Sequence, residues 1–178
     1  MVFTFRSMNT DDLPMVLRWR ASDDINQVML SEVTYDLAKQ KLWFDSVSND
    51  SSCQYWIIEH DKYPIGVLNQ SDIHPVHKRC SWGFYIGESD YKHLGGLIPP
   101  YFYNHVFLTS DILKITAEVL SNNAKVMKLH RLHGYRSVGV YQSHIKKNDQ
   151  WFDLHLFELA KDTWLSKKRF ITFKTHFY

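Results

Sequence analysis

The residues best suited to chemistry lie between Glu118 and Tyr135, where Asn123, His130 and Gly134 stand at fixed offsets along one helical pattern. An imidazole has an unperturbed pKa of about 6.5, so His130 can give or relay a proton near neutral pH. A second cluster is the run Lys92-His93-Leu94-Gly95-Gly96, between a strand pattern and a helix pattern. Glycines there let successive backbone N–H groups converge on one point, and the helix start adds positive potential, which together suit a pyrophosphate. Both features also have a plain structural reading. The first is equally a well-capped amphipathic helix packed on a sheet, and the second an ordinary turn.

The elements that position these residues follow from patterning. An apolar run from Ile112 to Leu120 reads as a strand and ends at Ser121-Asn122-Asn123. Asn123 can cap a helix by bonding the orphan N–H groups of its first turn. Val126, Met127, Leu129 and Leu132 are the apolar positions of the pattern, Lys125, Lys128 and Arg131 keep a solvated face, and Gly134 falls where a left-handed cap belongs. Val2 to Arg6 alternates as a first strand, and Thr10 with Asp11 and Asp12 starts a helix carrying Leu13, Val16, Leu17 and Arg20. A short helical piece spans Ile25 to Leu30, and a third helix spans Asp36 to Val47, burying Leu37, Leu42, Trp43 and Val47. Gln54 to Glu59 and Ile65 to Asn69 read as a hairpin, followed by a strand from Arg79 to Ile86. Pro99 and Pro100 fit only a first helical turn, so the next helix starts near Gly96 to Ile98. Tyr135 to Lys146 and Trp151 to Leu159 are long final strands. The fold class is α/β, with a mixed, partly antiparallel sheet. The tail from Leu165 to Tyr178, basic at Lys167, Lys168 and Arg169, fits an added edge strand, a dimer contact or a frayed end, and is assigned no role.

Composition sets limits. The 178 residues suffice for one domain with a proper core, assigned to residues 1–160. A formal charge of +2 is too small to argue for nucleic acid. No signal-peptide pattern and no membrane-spanning apolar run is present, so a cytoplasmic protein away from the membrane is expected. Cys53 and Cys80 both fall on strand patterns, lack a metal-ligand spacing, and read as reduced core thiols with no metal.

The segment from Asn123 to Tyr135 resembles the last strand-helix-strand of the GCN5-related N-acetyltransferases, N-x-x-A-x-x-x-Y-x-x-x-G-F, with His130 in place of Tyr. The loop Lys92 to Gly96 is similar to that family's Q/R-x-x-G-x-G/A pyrophosphate loop, departing from it at Leu97. The resemblance implies a sheet splayed between two central parallel strands, with helices on both faces and acetyl-CoA lying in the gap. It implies cofactor contacts from Tyr85, Ile86, Lys92, His93, Leu94, Gly95, Gly96, Asn123 and Lys128. A backbone N–H near Tyr85 or Ile86 would polarise the thioester carbonyl. His130 would protonate or hydrogen-bond the leaving thiolate, and Glu88, through water, or His77 would serve as general base.

The runs Trp19-Arg20 with Asn26 to Met29, Arg79 to Gly87 and Glu118 to Gly134 resemble one subfamily, the acetyltransferases of the 4-amino group of a UDP-linked dideoxy sugar on the way to pseudaminic acid. His130 matches that subfamily, while Ala21 departs from it. The resemblance implies a nucleotide-sugar substrate; a monomer or homodimer is expected, and the sequence does not fix which. Arg20 would bond a diphosphate or a uracil carbonyl, and Met29, His77 and Trp82 would complete the substrate site. An acetyltransferase of protein N-termini or small amines, and a non-catalytic acyl-CoA-binding domain, remain open alternatives.

Overall fold

The computed structural model describes residues 3–178. Its strands are β1 (Phe3–Ser7), β2 (Gln54–His60), β3 (Tyr63–His74), β4 (Arg79–Ile86), β5 (Lys114–Leu120), β6 (Arg136–Lys147) and β7 (Gln150–Ala160). Its helices are α1 (Leu13–Arg20), α2 (Asp23–Asn26), α3 (Leu37–Ser48), α4 (Ile98–Thr109), α5 (Ala124–His133) and α6 (Lys161–Leu165). The strands form one sheet in the order β1-β2-β3-β4-β5-β7-β6. Every pairing is antiparallel except that of β4 with β5.

Strand side chains alternate between faces, and each face has its own core. Leu68, Trp82, Ile86 and Ile115 pack with α4 and with α5 residues Val126 and Met127 on one side. Ile57 and Val67 pack with Val16 and Trp19 of α1 and with Trp43 and Phe44 of α3 on the other. Helices therefore cover both faces, as expected.

Several local expectations change. Asn9, not Thr10, caps the first helix, through a reciprocal pair of bonds with Asp12, and a short 3-10 turn at Thr10–Asp12 precedes α1. The helical piece after it closes at Asn26 instead of Leu30. Leu37 and Leu42 are 47% and 70% exposed, because α3 presents Trp43 and Phe44 to the core. Cys53 precedes β2 and is half-buried, while Cys80 is buried on β4. The end of the tail runs beside β1 through one isolated bridge and forms no strand of its own. Phe177 bridges Phe5 in parallel, stacks on its ring at 4.3 Å and stacks on His105 at 3.9 Å.

Candidate active site

β4 and β5 pair over only three steps, from Arg79–Lys114 to Ser81–Thr116, and separate beyond them. Gly87 N–H donates to Ile65 O, which fixes the alternation of the β3–β4 ladder. The N–H groups of Gly83 and Tyr85 are thereby turned toward β3, and those of Phe84 and Ile86 toward the gap. Of the two expected oxyanion donors, Tyr85 is spent in the ladder and Ile86 faces the opening. The gap continues into a cleft of about 340 Å³, lined by Trp82, Gly83, Phe84, Val119, Asn123 and His130. An extended chain entering it can complete the ladder that β4 and β5 leave open.

Helix α5 sets the end wall. The Asn123 side chain accepts Val126 N–H at 3.4 Å, and Gly134, at φ +96°, ends the helix. A side chain at Gly134 would be strained by that backbone and would meet Lys167 Cε at 2.5 Å. His130, on the last turn, is 3% exposed. Its ring stacks on Tyr135 at 4.5 Å and meets the edge of Phe157 at 5.6 Å. Tyr135 is itself fixed by a 2.9 Å bond from Trp82 Nε1 to its hydroxyl. Burial, and secondarily His133, push the His130 pKa down to about 4. His130 is therefore neutral near pH 7. Of the two expected roles, protonating or hydrogen-bonding the thiolate, a neutral ring suits the second, through its single N–H. Its Nδ1 is buried without a partner, which leaves Nε2 for the cleft.

A second cleft, of about 530 Å³, opens on the opposite face of the sheet, among Arg20, Gln40, Trp43, Tyr55 and Tyr85. Arg20 is 9% exposed and donates to Asn26 Oδ1 at 3.0 Å, Ser31 O at 2.6 Å and Ser31 Oγ at 2.9 Å. It thus braces the loop after α2 and forms no ion pair with Asp23 or Asp24. Burial lowers its pKa, opposed by nearby Tyr85, and burial raises that of Tyr85, opposed by Arg20. Lys147, 5% exposed at the end of β6, anchors the same loop by donating to Asn26 O and Met29 O. Met29, Ser31 and Asn69 line both clefts, so the two cavities share a wall.

The expected site residues separate accordingly. His130 and Asn123 meet in the first cleft, and Arg20 and the Tyr85 ring meet in the second, with Met29 common to both. Trp82 lines the first cleft and not the Arg20 cleft, because its even position on β4 points to the α5 face. Glu88 lines neither cleft. Its carboxylate oxygen Oε1 accepts Trp19 Nε1–H at 2.8 Å and Arg18 Nη2–H at 3.3 Å, which anchors the chain after β4 to α1. His77 stacks on His74 at 4.1 Å in the β3–β4 turn, outside both clefts. Lys92 to Gly96 coil in a 3-10 stretch, Ser89–Leu97, ahead of α4. Lys92 pairs with Asp24, whose pKa it lowers, Leu94 is buried, and His93 and Lys128 are exposed. A Cβ on Gly95 would make only ordinary contacts and one on Gly96 would meet nothing, so the fold itself does not require glycine there. That clearance fits a ligand passing close to the backbone. Among the described residues no group of His, Cys, Asp or Glu is arranged to hold a metal ion. Likewise, no helix among them is long and apolar enough to cross a membrane.

Sequence reasoning missed Asn69, Ser31, Tyr55 and Lys147. Asn69 carried a signal, being a polar residue that closes the apolar strand run Ile65 to Leu68. Lys147 carried none, since it read as a turn residue.

Comparison with known proteins agrees with this architecture. The family model for the acetyltransferase (GNAT) domain matches residues 5–156. The acetyltransferase PseH of Campylobacter jejuni is 25% identical over 127 residues, covering 71% of this chain and 78% of that protein. The structure of a spermidine N-acetyltransferase from Vibrio cholerae in complex with CoA and spermine superposes with a TM-score of 0.85 at 16% identity, over 92% of this chain and 98% of that one. A dodecameric structure of the V. cholerae enzyme gives 0.78 at 16% identity, over 93% and 97%. At that identity the structural likeness is one of fold. With a family match across most of its length, the chain belongs to the GNAT acetyltransferases and is an acetyl-CoA-dependent N-acetyltransferase.

Proposed function

We propose that the acceptor is the 4-amino group of a nucleotide-linked amino-dideoxy sugar. The observation that carries this reading is the buried Arg20 in the second cleft, which meets the β4–β5 cleft at Met29, Ser31 and Asn69. A buried guanidinium favours an anionic or carbonyl-rich carrier and disfavours an ammonium. Trp43 and Tyr55, edge to face at 5.1 Å, offer apolar surface for a base or a deoxy methyl group. The similarity to PseH supports the same class.

A polyamine acceptor fits this cleft less well. Its two acids already have cations of the chain beside them: Asp36 lies 3.6 Å from Lys39 Nζ, and Glu32 lies 4.0 Å from Lys147 Nζ. A polycation would displace those pairs while facing Arg20.

Acetyl-CoA supplies the acetyl thioester. The amine nitrogen bonds to the acetyl carbon as the carbon–sulfur bond breaks, and the amine proton passes to the thiolate or to solvent. An unspent β4 N–H facing the gap, that of Phe84 or Ile86, supports the developing oxyanion. The neutral His130 N–H supports the leaving sulfur, and Asn123 bonds the cofactor's extended arm. Glycines 95 and 96 leave room for its pyrophosphate, with Lys92, His93, Leu94 and Lys128 around it.

The test is thiol release from acetyl-CoA with UDP-, dTDP- and GDP-linked 4-amino sugars, polyamines and N-terminal peptides. Release with a nucleotide sugar is the expected result. Release only with polyamines or peptides overturns this acceptor, and CoA binding without release from any member would leave a non-catalytic acyl-CoA-binding domain.

A further inference from the structure

Three residues line both clefts, and two of them are committed. Ser31 Oγ accepts Arg20 Nη2–H at 2.9 Å, and Met29 brings only a thioether. Asn69 is the third. Its side-chain amide has no hydrogen-bond partner among the described residues and is not buried away from the cavities. An amide offers two donor hydrogens and two acceptor lone pairs, all of them available to a ligand in the cavities that Asn69 lines.

Its neighbour across the ladder explains its freedom. Asn69 pairs with Gly83, the residue of β4 without a side chain just past the last β4–β5 bridge at Ser81–Thr116. A Cβ on Gly83 would stand 2.9 Å from Asn69 Oδ1, so glycine there clears the space the amide occupies. Val67, two residues earlier on the same face, is buried against α1, while Asn69 stands over the opening.

We infer that Asn69 binds the attacking amine, with Oδ1 accepting one amine N–H at the opening between β4 and β5. This rests on the proposal that the acceptor enters through the Arg20 cleft. A neutral amide suits the task better than a carboxylate, because a carboxylate would stabilise the ammonium form, which has no lone pair to attack with. Buried Arg20 on the same side acts in the same sense, by repelling an ammonium.

The test compares wild type, Asn69→Leu and Asn69→Asp, using whichever amine of the panel supports turnover by wild type. Asn69→Leu should lower kcat/KM for the amine by about 10-fold or more, with the affinity for CoA, measured by calorimetry, within about twofold. Asn69→Asp keeps an acceptor oxygen but holds the ammonium, so the acidic limb of its pH–rate profile should move up by about one unit. A purely structural Asn69 would not move that limb. Unchanged kcat/KM in Asn69→Leu, or superimposable profiles for wild type and Asn69→Asp, overturns the inference. If the supporting amine is a polyamine or a peptide, the nucleotide-sugar proposal fails, and the same variants still decide the role of Asn69.

Discussion

Acidification from pH 7 to pH 5 should destabilise this protein through two buried histidines. His130 and His133 are 3% and 1% exposed, and both have Nδ1 buried without a partner. Tyr135, Trp82 and Phe157 surround His130. Tyr103, Trp164 and Phe170 surround His133. Burial pushes both pKa values down to about 4, helped by His133 at the first site and by Arg169 and Lys167 at the second. The unfolded chain takes up these protons near pH 6.5, and the folded chain only near pH 4. The unfolded state thus binds more protons across that window, so stability falls as pH falls through it. Linkage between these values gives a loss of about 2 kcal/mol per histidine from pH 7 to pH 5, and about 4 kcal/mol as an upper bound for the pair. That is a large part of the roughly 5–15 kcal/mol that holds a domain folded. Urea unfolding at the two pH values measures it. His130→Phe and His133→Phe should each remove about half of the loss, and the double variant most of it. His105, also lowered by burial, leaves a residual slope. Carboxylates do not confuse the result. Glu158, held low by Lys114 and Arg136, loses its contribution only as pH falls below its usual range. An equal loss in the double variant and in wild type would refute the reasoning.

Three further perturbations separate folding from function. Gly87→Ala would place a Cβ 2.2 Å from the Trp19 ring, which Glu88 pins, and should cost about 1–3 kcal/mol in urea unfolding, the range for an overpacked core. Gly95→Val meets nothing closer than 3.7 Å at its Cβ, so it should leave the melting temperature within a few degrees while lowering CoA affinity by about 10-fold or more; unaltered affinity would show that the pyrophosphate lies elsewhere. Lys147→Met strips two carbonyls of the loop after α2 of their donor, so the acceptor KM should rise by roughly 10-fold, with faster amide exchange at residues 26–33 and an unchanged acetyl-CoA KM.

Much of the frame was legible because local rules agree with the final packing. β4 occupies Arg79–Ile86 as its pattern requires, Asn123 and Gly134 bound α5, and the prolines fall in the first turn of α4. Local signals failed where a distant side chain decides the outcome. Glu88 follows a strand and looks free in sequence, yet Trp19 Nε1 captures it from 69 residues away. Lys147 reads as a turn residue, yet its ammonium reaches a loop 118 residues earlier. Leu42 occupies a helical core position in the pattern and is exposed, because α3 turns its aromatic pair inward instead.

The division of labour at the site follows from strand parity. Even residues of β4, Trp82, Phe84 and Ile86, face the core that holds α4 and α5. Odd residues, Gly83 and Tyr85, face Asn69 and the Arg20 cleft. Trp82 and Tyr85 therefore cannot share a face of one regular strand, a separation that the alternation of the sequence already carries. The same parity separates a neutral His130 on one face from a buried cation on the other. The gap left where β4 and β5 diverge is where the faces communicate, and Gly83 keeps it open by lacking a side chain. The splay thus does two jobs at once: it exposes unspent N–H groups of β4, and it brings the cleft of the neutral His130 and the cleft of the buried Arg20 to one wall.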